Sequence, residues 1–273
     1  MNKIAIQIQH DSNFYDVIKE IAEVGFKFIA VGFGSSKCFH NDGWKNEILR
    51  IKEAIEQNGL ECIQTHAPYY DLLISAEVKD ADTEKALARC IEGTRILGAD
   101  ICAFHPRSVI VNDEVDEDRS FEENYKDFGK LLKASEENGV KLGIENLPMF
   151  PGLKQEFYSC HVNDHIKLID SFNSRFVCGI WDFGHSHLMR YNEPAAIAEM
   201  GKRIEGTHVH NNHADNDWHL LPNDGTIDWA VDLSALYNAG YKGYLTLEVN
   251  YVYDENFNRW CNDCYNSIKV LEV

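Results

Sequence analysis

"ENGVKLGIENLP", residues 137–148, holds in miniature the pattern that runs through the whole chain. Polar Glu137 and Asn138 end a helical stretch, Gly139 releases it, and an apolar run of strand length carries the chain to Glu145. Glycine suits that position because it enters the left-handed backbone conformation that closes a helix. The same phrase returns as "EVGFKFIAV" from Glu23, "QNGLECIQT" from Gln57, "ILGADICAF" from Ile96, "EMGKRIEGT" from Glu199 and "NAGYKGYLT" from Asn238. Its glycines fall 34 to 41 residues apart, except for a gap of 62 between Gly139 and Gly201 that accommodates two units. "SRFVCGIWD" from Ser174 supplies the missing strand, with Asn173 in the place of the glycine. Together with "KIAIQIQ" at the start, eight strands are expected at about 3–9, 26–33, 60–66, 100–105, 140–146, 175–182, 203–210 and 241–249.

Between them lie helical candidates such as 80–97, 121–138 and 255–270. Strands alternating with helices imply a parallel sheet joined by right-handed crossovers. Eight such units in 273 residues suit an α/β fold of the closed (β/α)8 barrel type. An open doubly wound sheet competes, but no G-x-G-x-x-G turn follows the first strand. No linker or low-complexity segment interrupts the chain, so residues 1–273 read as a single barrel domain. The longest loop, "LPMFPGLKQEFYSC" from Leu147, is expected to cover one end of it.

Composition narrows the function. A formal net charge of −18 disfavours nucleic acid as a partner, because phosphate contacts need clustered Lys or Arg. No apolar run approaches the roughly 18 residues of a membrane span, and the amino terminus lacks a basic segment followed by a long apolar one. A cytoplasmic enzyme with a small-molecule partner is expected, and a homo-oligomer is compatible with the sequence. Cys62, Cys102 and Cys178 sit inside apolar runs and read as reduced core residues. Cys261 and Cys264 have C-x-x-C spacing but no second pair, which argues against a zinc or redox site.

In a barrel of this kind chemistry gathers at the carboxyl ends of the strands. His66 ends the third strand, His105 the fourth, Glu145 the fifth, Asp182 the sixth with His185 three residues on, His208 the seventh and Glu248 the eighth. Asp217 and His219 follow in the seventh loop, "HVHNNHADNDWHLLPNDGTIDW". Each alone reads as a capping or solvated residue. Nine together on one rim would suffer desolvation and like-charge repulsion unless cations offset it. Nitrogen and oxygen donors without thiolate suit Zn²⁺, Mn²⁺, Co²⁺ or Fe²⁺. His210, two residues past His208 on the same strand face, would orient a ligand. His10 ends the first strand within reach of substrate, and Asp215 rivals Asp217. His40, His161 and His165 read as surface residues; His187 and His213 lie near the cluster without a matching strand end.

The segments "THAP", "FHP", "IENLP", "WDFGH", "HVHN", "HLLPNDGTIDW" and "LEV" together resemble the xylose isomerase-like TIM-barrel superfamily, which includes sugar phosphate isomerases and epimerases and the endonuclease IV group (AP endonuclease family 2). The epimerase branch implies one divalent ion on Glu145, Asp182, His208 and Glu248, with His185 contacting substrate. The endonuclease branch implies three zinc ions on those four plus His66, His105, His185, Asp217 and His219. The tagatose-epimerase type places an arginine in the loop after the seventh strand, where this chain has Trp218 and His219. Arg107 follows the histidine-proline pair and is a candidate for binding a phosphate or carboxylate. The expected activity is a metal-dependent isomerase or epimerase of a sugar or sugar phosphate, with Glu145 and Glu248 as the proton-transferring pair. Two alternatives stand beside it: a multinuclear zinc phosphodiesterase, and a metal-stabilised barrel without turnover.

Overall fold

The computed structural model describes residues 3–75, 80–149, 156–251 and 253–272. Eight parallel strands, Ile4–Gln9, Phe28–Gly32, Glu61–His66, Ile101–Phe104, Lys141–Glu145, Val177–Asp182, Ile204–His208 and Leu245–Leu247, hydrogen-bond in chain order. The first pairs with the last, and Val209 bridges to Leu247, so the seventh and eighth strands close the ring. This is the expected (β/α)8 barrel. Around it run α1 (Phe14–Val24), α2 (Trp44–Gln57), α3 (Ala81–Leu97), α4 (Glu117–Asn138), α5 (Val162–Ser171), α6 (Phe183–Leu188), α7 (Glu193–Met200), α8 (Trp229–Asn238) and α9 (Phe257–Ser267). Among the described residues no helix is long and apolar enough to cross a membrane.

Local chemistry explains the boundaries. Gly25, Gly98 and Gly139 follow α1, α3 and α4 with φ of 112°, 95° and 66°, a region that a side chain disfavours. Asn173 stands at φ 44°, doing the work of the absent glycine before the sixth strand. The fourth helix starts at Glu117 rather than Phe121, because the Asp116 carboxylate accepts the Arg119 amide and caps it. The strands end short of their expected limits, the eighth most of all, since Tyr241 to Tyr244 form a turn in which the Tyr241 hydroxyl donates to the Tyr244 carbonyl. A second sheet of Leu73–Ile74, Ser108–Val111 and Glu114–Asp116 was not expected; such short strands leave no periodicity to read. The long loop from Leu147 falls partly on residues 150–155, outside the described residues.

The main core lies between sheet and helices, where Ile29, Val31, Phe104 and Ile144 meet Ile18, Ile48, Ile91 and Leu131. Cys62 and Cys102 are buried in it and free, as are Cys261 and Cys264 on α9, and Cys178 is buried and free as well. Phe104 is fully buried and packs edge-on against Phe128 at 6.1 Å. Phe104→Ala should therefore cost about 3–5 kcal/mol, seen as a lower urea midpoint, with bound metal unchanged in the folded protein.

Candidate metal centre

Strand register brings the expected residues to one rim. His208 lies opposite Asp182, Glu145 opposite Ile180, and His66 opposite Ala103, two residues before His105. Three groups result, each with ligand atoms within 4.8 Å of one another: His66, His105 and Glu145; Glu145, Asp182, His208 and Glu248; and His185, His210, Asp217 and His219. Glu145 belongs to two of them. Its Oε2 lies 3.4 Å from His66 Nε2 and 3.2 Å from His105 Nε2, while Oε1 lies 3.1 Å from His208 Nδ1.

Backbone carbonyls aim the imidazoles. His66 Nδ1 donates to the Ala67 carbonyl at 2.9 Å, His185 Nδ1 to that of Asn146 at 2.8 Å, and His219 Nδ1 to that of Glu248 at 2.7 Å. A carbonyl only accepts, so in each neutral ring the proton sits on Nδ1 and the Nε2 lone pair is left for the cluster. His208 is reversed: Gln64 lies 2.7 Å from its Nε2, and Nδ1 faces the carboxylates. Asp182 caps α6 by accepting the His185 amide at 2.7 Å, and Asn146 clasps the Asp182 backbone from both sides. Gln7 donates to Glu248 Oε1 at 2.5 Å.

The residues present fit cations. Glu145 Oε1 and Oε2, Asp182 Oδ2, His208 Nδ1, His210 Nε2 and Asp217 Oδ1 are buried polar atoms without a hydrogen-bond partner. Such orphans are rare in folded proteins. Their neighbours stand at 3.0 to 3.8 Å, from His208 Nδ1 to Glu248 Oε2 at 3.0 Å out to His208 Nδ1 to Asp182 Oδ2 at 3.8 Å, without making a hydrogen bond. Two donors about 2.1 Å from one tetrahedral ion are separated by roughly 3.4 Å. The same groups also shift one another's basicity. Burial lowers the basicity of His208 and His185, but the surrounding carboxylates raise both well above the usual imidazole range, and His219 rises to about 9. Burial opposes ionisation of Glu145, Glu248 and Asp217 in turn, and the histidines hold all three below the carboxylate range.

Other expected residues lie elsewhere. Arg107 is buried away from the cluster: its guanidinium pairs with Asp127, donates to the Asp71 carbonyl and stacks on Tyr70, and it is not among the residues lining the cavity beside the cluster. His10 is held by Ser36 and Glu47, Asp215 accepts from the Trp218 indole, and His187 meets Thr226. His40 and His213 are exposed, but His165, read as a surface residue, is fully buried and donates to the Ile144 carbonyl. A separate group, Glu156, Cys160 and His161, offers no thiolate, because burial and acidic neighbours push the Cys160 thiol up.

His210, expected only to orient a ligand, is a member of the third group and stacks on His219 at 3.9 Å. Gly184 makes room for it, since a Cβ there would lie 1.9 Å from His210 Cε1. The glycine of "WDFGH" carried that signal in the sequence, without naming its partner.

His66, His105, Glu145, His185, Asp217, His219 and Glu248 line a cavity of about 310 Å³ that also touches Tyr69, Leu72, Leu147, Pro148 and Phe157. A family model described as xylose isomerase-like TIM barrel matches residues 18–261. An uncharacterized protein of Methanocaldococcus jannaschii is 25% identical over 195 residues, covering 68% of this chain, which spans only 64% of that relative's length. A D-psicose 3-epimerase of Enterocloster bolteae is 20% identical over 249 residues, 87% of this chain and 77% of its own. The crystal structure of apo 3-keto-D-glucoside 4-epimerase from E. coli superposes with a TM-score of 0.78 at 18% identity, over 98% of this chain and 99% of its own. At these identities the shared property is the fold.

Two outcomes follow for the cluster. Gly184→Ala should displace His210 and lower the metal content measured by plasma emission, while the circular dichroism spectrum keeps its barrel signature. Histidines raised above the ordinary imidazole range stabilise the metal-free fold at low pH, and that contribution disappears as pH climbs through about 9, where His219 loses its proton. The metal-free protein should thus melt at progressively lower temperature from pH 6.5 to 9, and added Zn²⁺, which needs deprotonated ligands, should remove the decline. A flat or rising melting temperature across that window would contradict the assignment.

Proposed function

The chain belongs to the xylose isomerase-like TIM-barrel family, and from that premise we propose that it is a metal-dependent isomerase or epimerase of a small sugar-type substrate. One observation carries the reading. Glu145 Oε1 and Glu248 Oε2 approach the same His208 nitrogen, at 3.1 and 3.0 Å, with Asp182 completing the set. Two carboxylates thus flank one cation position and each keeps a second oxygen, Glu145 Oε2 beside His66 and His105, Glu248 Oε1 beside Gln7. A bound divalent cation would polarise adjacent carbonyl and hydroxyl oxygens and stabilise the charge that develops as the intervening carbon loses its proton. One glutamate takes that proton and the other returns it on the opposite face. The epimerase activity named for the Enterocloster relative supports this class. The acidic chain and small cavity favour a small molecule over DNA.

A second reading has its own observation. The two oxygens of Glu145 face two different ligand groups, as a bridging carboxylate would, and the His185, His210, Asp217 and His219 group completes a set suited to three ions. Such a centre suits hydrolysis of a small phosphoester, with the ions holding the phosphate, because among the described residues no Lys or Arg lines the cavity.

Counting metal per chain while following proton–deuterium exchange into ketoses and ketose phosphates separates the two. Exchange, with Glu145→Gln and Glu248→Gln each slowing it by roughly 10²–10⁴, supports the isomerase. Three zinc ions with phosphoester cleavage and no exchange would falsify it.

A further inference from the structure

The cavity is divided by chemistry. Its polar wall consists of the ligand residues, and the rest is Tyr69, Tyr70, Leu72, Leu147, Pro148 and Phe157, with Ala67 and Pro68 between. The Tyr70 hydroxyl is turned away, donating to the His105 carbonyl, and Tyr69 lays its ring 6.1 Å from that of His66. Among the described residues no Lys, Arg, Asn, Gln, Ser or Thr lines the space. A free ketose bears an oxygen on every carbon, and among the described residues only the cation positions and the Tyr69 hydroxyl would offer those oxygens partners. Each further buried hydroxyl left unpaired lowers affinity by roughly tenfold or more. The apolar wall, by contrast, rewards carbon surface. At about 310 Å³ the cavity lies at the lower end of small-molecule sites, room for one head group and one ring.

From this division we propose that the true substrate is amphipathic, an oxygen-rich head on the cations joined to a planar apolar group, such as an aryl ring, seated against Leu72, Leu147, Pro148 and Phe157. The inference rests on the rim being a cation site, as in the preceding reading, and it names the part of the substrate that reading leaves open. Leu72 and Phe157 are half-buried, so they set the fit of the ring without carrying the core.

Hydroxyacetone and 2-hydroxyacetophenone share one hydroxy-ketone head and differ in methyl against phenyl. Calorimetry on the metal-loaded protein should find the phenyl compound bound at least about tenfold more tightly. Phe157→Ala and Leu72→Ala should each reduce that preference severalfold, while hydroxyacetone affinity and metal content stay as in the parent. Equal affinities, no binding of the phenyl compound, or a preference that survives both substitutions would overturn the inference. Proton exchange on plain ketoses without a phenyl preference would sink it and leave the isomerase standing. A phenyl preference with neither exchange nor phosphoester cleavage would do the reverse.

Discussion

A carboxylate with no access to water organises this molecule. Glu145 is fully buried at the end of the fifth strand, and its charge has to be met inside the protein. Imidazoles meet it from three other strand ends, His66, His105 and His208, at 3.1 to 3.4 Å. His66 is in turn positioned by the Ala67 carbonyl and His208 by Gln64, so their geometry is inherited from strand register rather than from flexible loops.

That dependence explains why so much was legible in the sequence. A glycine at each helix end and an apolar run after it define where a strand begins; a His, Asp or Glu where the run stops defines what stands on the rim. Asn173 shows the rule in physical form, since what the position needs is a positive φ and not a particular residue. The illegible parts have the opposite character. His210 joins the third group only because Gly184, 26 positions away, leaves space for its ring. Arg107 looked available because its partners, Asp127 and the Asp71 carbonyl, are set by packing around the small second sheet, whose strands are too short to announce themselves. His165 looked polar and exposed, yet one carbonyl of the fifth strand satisfies it inside the core.

The isomerase and hydrolase readings make different demands on the same carboxylate. An isomerase wants one oxygen of Glu145 free to exchange a proton; a multinuclear hydrolase wants both engaged. A cation held by His66 and His105 would engage that oxygen and so favour the hydrolase reading, because those two rings face it. The fold is common to both readings, so the distinction belongs to the site.

X-ray absorption at the metal edge of the purified protein tests the central claim most directly. A shell of nitrogen and oxygen at about 2.0–2.2 Å with the outer-shell pattern of several imidazoles and no sulfur is the predicted result. Absence of bound metal after loading, or ligation by sulfur at about 2.3 Å, would contradict it.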